Sequence, residues 1–208
     1  MQPLVIHADL LSPYGWSARM VAAEKGVPYE MAPADVGAPD YADLHPFRKM
    51  PVLRHGDIVI YETLAIAHYV DRAFDGPALQ PSDPLGQARM LTWISLVNGY
   101  MFPTMNGLVK VRFAMATGGE LPEPERLAAM QADQVRQVAF VAAAVEKQPR
   151  LTGKAFTLAD AFLFPHLQFA SMTPEGAQAV TDHPAAAAWL DRVRARPSAT
   201  ATNPMTSF

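Results

Sequence analysis

The hydropathy pattern changes character once along the chain, near residues 75–84, and that change limits the folds open to it. Before it, strand and helix signals alternate. Residues 4–8 form a short apolar run closed by Asp9 and predict a strand. Ser12-Pro13 follows, a residue type that caps helices and then a proline suited to the first helical position. The helix begun there runs through Arg19, Val21 and Glu24 and stops at Gly26, with Pro28 just beyond. Residues 29–32 predict a second strand. Residues 33–47 hold three prolines and no period, so they read as loop. Val52-Leu53 and residues 58–61 flank His55-Gly56-Asp57 and predict a hairpin. From Glu62 to Ala73, Ile66, Tyr69, Val70 and Ala73 recur at helical spacing. The segment 75–84, with Gly76, Pro77, Pro81 and Pro84, reads as a linker. Beyond it only helices are expected, over 85–115, 124–146, 158–171 and 184–196. The expected architecture is an α/β domain over 1–76, ordered β-α-β, loop, β-β-α, followed by an all-helical domain over 84–208.

Composition removes several function classes. The 208 residues include 17 basic and 20 acidic side chains, a net charge of −3. That balance offers no general attraction to nucleic acid or anionic lipid. Charged residues make up 18% of the chain, below the ~25% of ordinary soluble domains. A sizeable core, and a further surface buried in an oligomer, are expected. There is no cysteine, so disulfides, thiolate metal sites, iron–sulfur clusters and a cysteine nucleophile are excluded. The six histidines show no HxxxH-type spacing, so no metal site is expected. The longest uncharged window, 90–109, contains Asn98, Gly99, Pro103, Asn106 and Gly107. It predicts a buried helix with a kink and no membrane span. The first residues lack a basic region and carry Asp9, so they do not read as a signal peptide. A reducing compartment, the cytoplasm, fits these features.

Two local signals are sharper. Thr157-Leu158-Ala159-Asp160 has capping-box spacing and predicts a helix start with a structural role. Ser12 sits where a helix begins, and there a hydroxyl can cap the helix or donate to an anion that the helix dipole also favours. Tyr14 and Ser17 are neighbouring hydroxyls that compete for such a role. Arg192, Arg194 and Arg196 close a predicted helix, where cations complement the dipole.

Four segments, in order, carry a family resemblance: SPYGWSARMVAAEKGVPYE, HPFRKMPVL, YETLAIAHYVD and FTLADAFLFP. Together they resemble the cytosolic glutathione transferase superfamily, in its serine-type (zeta-, theta- or phi-like) bacterial branch. The resemblance implies a thioredoxin-like first domain that binds glutathione as co-substrate, and a helical second domain. It implies that Ser12, seven residues before Arg19, stabilises the glutathione thiolate. Met50-Pro51 matches a step whose proline is cis and whose preceding backbone pairs with the cysteinyl residue. Lys49 matches a lysine near the glycyl carboxylate. Glu62-Thr63 matches the pair that holds the γ-glutamyl ammonium and carboxylate. Tyr14, Trp93, Tyr100, Met101, Met105 and Phe113 fall where the family builds its apolar electrophile pocket, although core packing or a dimer seam explains such residues equally well. The implied protein is a homodimer acting on small-molecule electrophiles in detoxification, without metal, nucleic acid or membrane. A non-catalytic glutathione-binding or regulatory member of the fold is the alternative, as is a specialised glutathione-dependent isomerase, lyase, ether-cleaving enzyme or peroxidase.

Overall fold

The computed structural model describes residues 2–207. The first strands and helices follow the expected order: β1 (Leu4–His7), α1 (Pro13–Glu24), β2 (Tyr29–Ala32), β3 (Val52–His55), β4 (Ile58–Tyr61) and α2 (Thr63–Ala73). The four strands form one sheet in the order β2-β1-β3-β4. β1 and β2 are parallel, as a crossover through α1 requires, while β3 runs antiparallel to both β1 and β4. Leu4, Ile6 and Leu53 are at most 2% exposed and face the side covered by α1 and α2. A short 3₁₀ turn, Pro39–Asp43, interrupts the predicted loop.

Helix α1 starts where Ser12-Pro13 predicts. The Ser12 hydroxyl accepts the Gly15 N–H at 3.1 Å, and Pro13 occupies the first helical position. Gly15 is required by crowding: a Cβ there would lie 2.7 Å from the Ala8 Cβ. At the other end, Gly26 takes φ +68°, a left-handed conformation that glycine adopts without steric cost.

The segment expected to be a linker is fastened down. Asp71, on α2, accepts the Leu79 N–H at 2.9 Å and the Gln80 side-chain amide at 2.8 Å. Its partner Lys25 lies 3.3 Å away and also donates to the Gly76 and Pro77 carbonyls. Both side chains are at most 4% exposed, so this pair is a buried tether.

The chain divides into two compact units, one reaching to Gln80 and including the segment from Ala195 onward, the other Pro81–Arg194. The C-terminal segment therefore belongs with the first unit, a departure from the expected 84–208 domain. Pro197 ends the helix expected to reach residue 196; α8 (Pro184–Arg194) stops earlier and α9 (Pro197–Ala201) begins anew. Arg196 does not serve a helix C-terminus. It forms a bidentate pair with Glu24 of α1, both contacts at 2.6 Å.

The second unit is helical throughout the described residues: α3 (Pro84–Leu96), α4 (Phe102–Thr117), α5 (Pro124–Val145), α6 (Leu158–Ala170), α7 (Pro174–Thr181) and α8. Only α7 and α9 were not foreshadowed in the sequence. The expected kink is a single π-helical turn, Val97–Met101, between α3 and α4. The Tyr100 carbonyl in that turn accepts from Gln137 Nε2 at 3.1 Å and Thr104 Oγ1 at 3.2 Å. Helix α6 forms the centre of this unit and is buried over nearly its whole length. Its capping box is present, and the Asp160 carboxylate also accepts the Leu151 N–H at 3.2 Å and the Trp189 indole N–H at 2.9 Å. Burial raises the Asp160 pKa, against the opposing pull of those donors.

His166, also on α6, lies beside the Phe102 ring at 5.4 Å, and burial lowers its pKa to about 3. The unfolded chain therefore binds a proton near pH 6.5 that the folded chain refuses. Folding stability should fall as pH drops below that value, by about 1.4 kcal/mol per unit from this residue. Urea unfolding at pH 7, 6 and 5 should show wild type losing this much relative to His166→Leu. A pH-independent difference between the two would refute the assignment.

Candidate functional site

The site of the first unit is assembled by strand register. His7 pairs with Val52 across β1 and β3, and Val52 pairs with Tyr61 across β3 and β4. His7 ends β1, Val52 begins β3 and Tyr61 ends β4, so all three lie at one end of the sheet. The next residues outward are the loop to Ser12, the Met50-Pro51 step and Glu62. Three segments far apart in sequence thus converge, and six of the expected site residues lie on or beside them. A direct contact joins two of the segments: the Asp9 N–H donates to Met50 Sδ at 3.2 Å.

Each residue has a distinct setting. Ser12 is half-buried, and its oxygen is engaged as acceptor by Gly15. A hydroxyl that accepts through a lone pair keeps its own proton to donate, so the capping role and a ligand-donating role are compatible. Arg19, only 4% exposed, holds the preceding loop by donating to the Leu10 carbonyl at 3.0 Å and to the Thr202 carbonyl at 3.0 Å. Ser17 is fully buried and donates to the Pro13 carbonyl at 3.2 Å, which turns it inward as a helix side chain and away from any ligand. Tyr14 is half-buried, and its phenol pKa is pushed up, first by burial and then by the Glu62 charge. Tyr14 and Glu62 are therefore electrostatic neighbours.

The Met50–Pro51 peptide is cis, as the resemblance implies. Pro51 is buried, Met50 half-buried and Lys49 exposed, with the Lys49 carbonyl held by the Tyr41 hydroxyl at 3.1 Å. Glu62 has φ +70° and ψ 119° and holds the N-cap position of α2 without a side-chain capping bond, while Thr63, 7% exposed, begins the helix. A non-glycine residue there carries strain of about 1–3 kcal/mol, a cost seen mostly at functional sites. The Glu62 side chain is 70% exposed. One neighbour escaped the sequence reading: His45, 2% exposed, places Nε2 3.7 Å from Glu62 Oε1. A lone histidine before a proline gives no spacing signal that could have found it.

The apolar candidates of the second unit do not form one surface. Met105 is fully buried and Trp93 is 7% exposed, its ring packed on Phe140 at 5.2 Å, so both serve the core. Met101 is 3% exposed, whereas Tyr100 and Phe113 are 67% and 70% exposed. Tyr100 and Met101 line a shallow cavity of about 260 Å³ with Leu96, Gln137 and Phe140. Among the described residues no group of acidic, histidine or cysteine side chains could hold a metal ion, and no helix is long and apolar enough to cross a membrane.

The family model for the glutathione S-transferase N-terminal domain matches residues 6–78, and that for the C-terminal domain matches residues 124–192. The chain is similar to glutathione S-transferase 3 of Zea mays, 31% identical over 208 residues covering 95% of this chain and 92% of the relative. It is also similar to glutathione S-transferase 1 of Triticum aestivum, 30% identical with 84% and 82% covered. A stringent starvation protein A homolog of Pasteurella multocida is 26% identical, with 79% and 73% covered. Among solved structures, glutathione S-transferase III in its apo form superposes with a TM-score of 0.86 at 29% identity, covering 96% of this chain and 95% of that one.

The Ser12 cap makes a measurable claim of its own. Ser12→Ala should lower the unfolding free energy by about 1 kcal/mol, because the Gly15 N–H loses its acceptor. Ser12→Gly should cost only a few tenths of a kcal/mol, because glycine leaves the first-turn amides open to water. Urea titration of both variants checks this, and an unchanged Ser12→Ala midpoint would show the cap to be idle.

Proposed function

Because the chain belongs to the glutathione S-transferase family, we propose that it is a serine-type glutathione transferase whose first unit binds glutathione at the sheet end and activates its thiol through Ser12. The observation that carries this reading is the Ser12 hydroxyl, half-buried at the start of α1, with its acceptor lone pair engaged by Gly15 and its proton free to point elsewhere. A thiol with a pKa of about 8.5 is mostly protonated at pH 7. A hydroxyl donor and a helix N-terminus both favour the anion. Ser12 is a donor here and not a base, since its own proton is far too weakly acidic. The thiol proton passes to solvent, the thiolate forms a bond to an electrophilic carbon, and any leaving group departs with the bonding pair.

The remaining roles follow from charge and placement. Glu62 is the acceptor for the γ-glutamyl ammonium, and Thr63 with the α2 N-terminus meets the γ-glutamyl carboxylate. The Met50 backbone pairs with the cysteinyl residue, and exposed Lys49 meets the glycyl carboxylate. For an apolar electrophile, the exposed aromatic side chains Tyr100 and Phe113 are the candidates in the helical unit. We place the protein in the cytoplasm, consistent with its lack of cysteine. It is proposed to be a homodimer, supported by the low charged fraction and by Phe47, an aromatic side chain 75% exposed.

Ultraviolet titration of the bound thiolate tests the function. Ser12→Ala should raise the pKa of bound glutathione by about one unit or more, equivalent to ~1.4 kcal/mol, and slow turnover near pH 7 about tenfold. Raising the pH should recover part of the loss. An unshifted pKa in a folded variant would remove Ser12 from this role. Bound glutathione with no thiolate signal in wild type would support the non-catalytic alternative instead. Light scattering should return the mass of two chains at micromolar concentration, and a single-chain mass would refute the dimer.

A further inference from the structure

We infer that His45 is a positioning residue for Glu62, setting that carboxylate for the ligand ammonium from behind; this rests on the glutathione reading above. His45 is buried, while the Glu62 side chain is 70% exposed. The two therefore divide the work: one faces the protein and the other faces a ligand.

The state of the imidazole follows from its contacts. Nδ1 accepts the Phe47 N–H at 3.1 Å, so that nitrogen carries no proton. The proton of the neutral ring is then on Nε2, the atom turned towards Glu62. At 3.7 Å from Oε1, Nε2 is too distant for a direct hydrogen bond but within range of a charge–dipole attraction. The separation is useful. It biases an exposed, many-rotamer carboxylate towards one orientation and leaves its lone pairs open for an incoming ammonium. A neutral partner also leaves the full negative charge in place, which a lysine or arginine at this position would cancel.

The ring itself cannot drift. Tyr61, the residue before Glu62, packs against it with centroids 4.9 Å apart, and Phe47 meets it edge-on at 6.4 Å. The same ring thus braces the backbone on which Glu62 takes its positive φ. The Tyr14 phenol, whose pKa burial and the Glu62 charge both raise, stays protonated and does not compete as a charge.

Two substitutions separate positioning from mere packing. His45→Asn keeps an acceptor for the Phe47 N–H but ends short of Glu62. His45→Gln extends an N–H towards Glu62 and gives up the turn. Calorimetry with glutathione should show His45→Asn weakening binding about fivefold, with KM for glutathione raised alike and kcat at saturating glutathione unchanged. His45→Gln should stay within about twofold of wild type. In a Glu62→Gln background, His45→Asn should add no further loss. Thermal melting accompanies each variant, and if His45→Asn fails to fold, the binding of His45→Gln compared with that of Glu62→Gln decides. The inference is overturned if His45→Asn binds like wild type, if its loss persists undiminished beside Glu62→Gln, if His45→Gln binds no better than Glu62→Gln, or if kcat falls and KM does not rise. Wild type that fails to bind glutathione at all would instead overturn the functional reading, and this one with it.

Discussion

His7, Val52 and Tyr61 stand in one row across three strands, and the order of that row decides where three separate stretches of chain go next. Each leaves the sheet at the same end, towards Ser12, from Met50-Pro51 and into Glu62. The row is hard to shift. Side chains alternate between faces, so a slip of one residue would exchange the buried and half-buried positions of β1. Val52 and Leu53 are both fully buried, so the start of β3 is covered on both faces and a shift of that strand would give up burial. The site is thus a consequence of apolar packing, reached before any polar residue acts.

Helix α1 must then present its first turn at a fixed place, and three charged residues on or just after it are turned inward for that purpose. Arg19 spans the Leu10 and Thr202 carbonyls, Glu24 pairs with Arg196, and Lys25 pairs with Asp71. Trp16 adds a hydrogen bond from its indole to the Thr202 hydroxyl at 2.9 Å. Buried charges are poor sources of net stability, since desolvation offsets most of the attraction. Breaking one costs about 3–5 kcal/mol all the same, because a lone buried charge remains. Their value is positional: the C-terminal segment, the loop before Ser12 and the stretch after α2 each have one place to dock. A hydroxyl meant to meet an anion gains from such prior fixing, because no ordering is left to be done on binding.

What the sequence discloses and what it hides follow from the range of the interactions. Ser12-Pro13, the hairpin at Gly56-Asp57 and the capping box from Thr157 to Asp160 are local, so residue type and spacing suffice to find them. The four motif segments supply the family, and with it the cis step at Met50-Pro51, which local preference alone would have assigned to trans. Long-range partnerships leave no such trace. Nothing near Asp71 signals that it fastens Leu79 and Gln80, so residues 75–84 look like a free linker. Nothing near Arg196 points back to Glu24, so the last segment looks like the end of the helical unit. The helical apolar residues mislead for a related reason. Trp93, Met101 and Met105 share a spacing with Tyr100 and Phe113, but the π-turn at Val97–Met101 rotates the following helix face, and only packing reveals which side chains it leaves exposed.

The electrostatics of the sheet end also narrow the chemistry. Tyr14 is the phenol nearest Ser12 in sequence, and burial together with the Glu62 charge drives its pKa upward. A phenol held in its protonated form cannot take a proton from a thiol near neutral pH, and as a donor it is weakened by the same influences that raise its pKa. Glu62 cannot serve as that base either while it is committed to an ammonium. In the proposed reading, stabilisation of an anion there comes from groups that donate without titrating, the Ser12 hydroxyl first among them. Such donors respond to the charge that develops and are not consumed by it, so they favour thiolate over thiol without changing their own state. In that same reading, the negative charge of Glu62 serves the opposite end of the ligand, where an ammonium has to be held. A zwitterionic peptide with a thiol at its centre fits this division of charge, and a ligand lacking either feature would leave one half of the site without its counterpart.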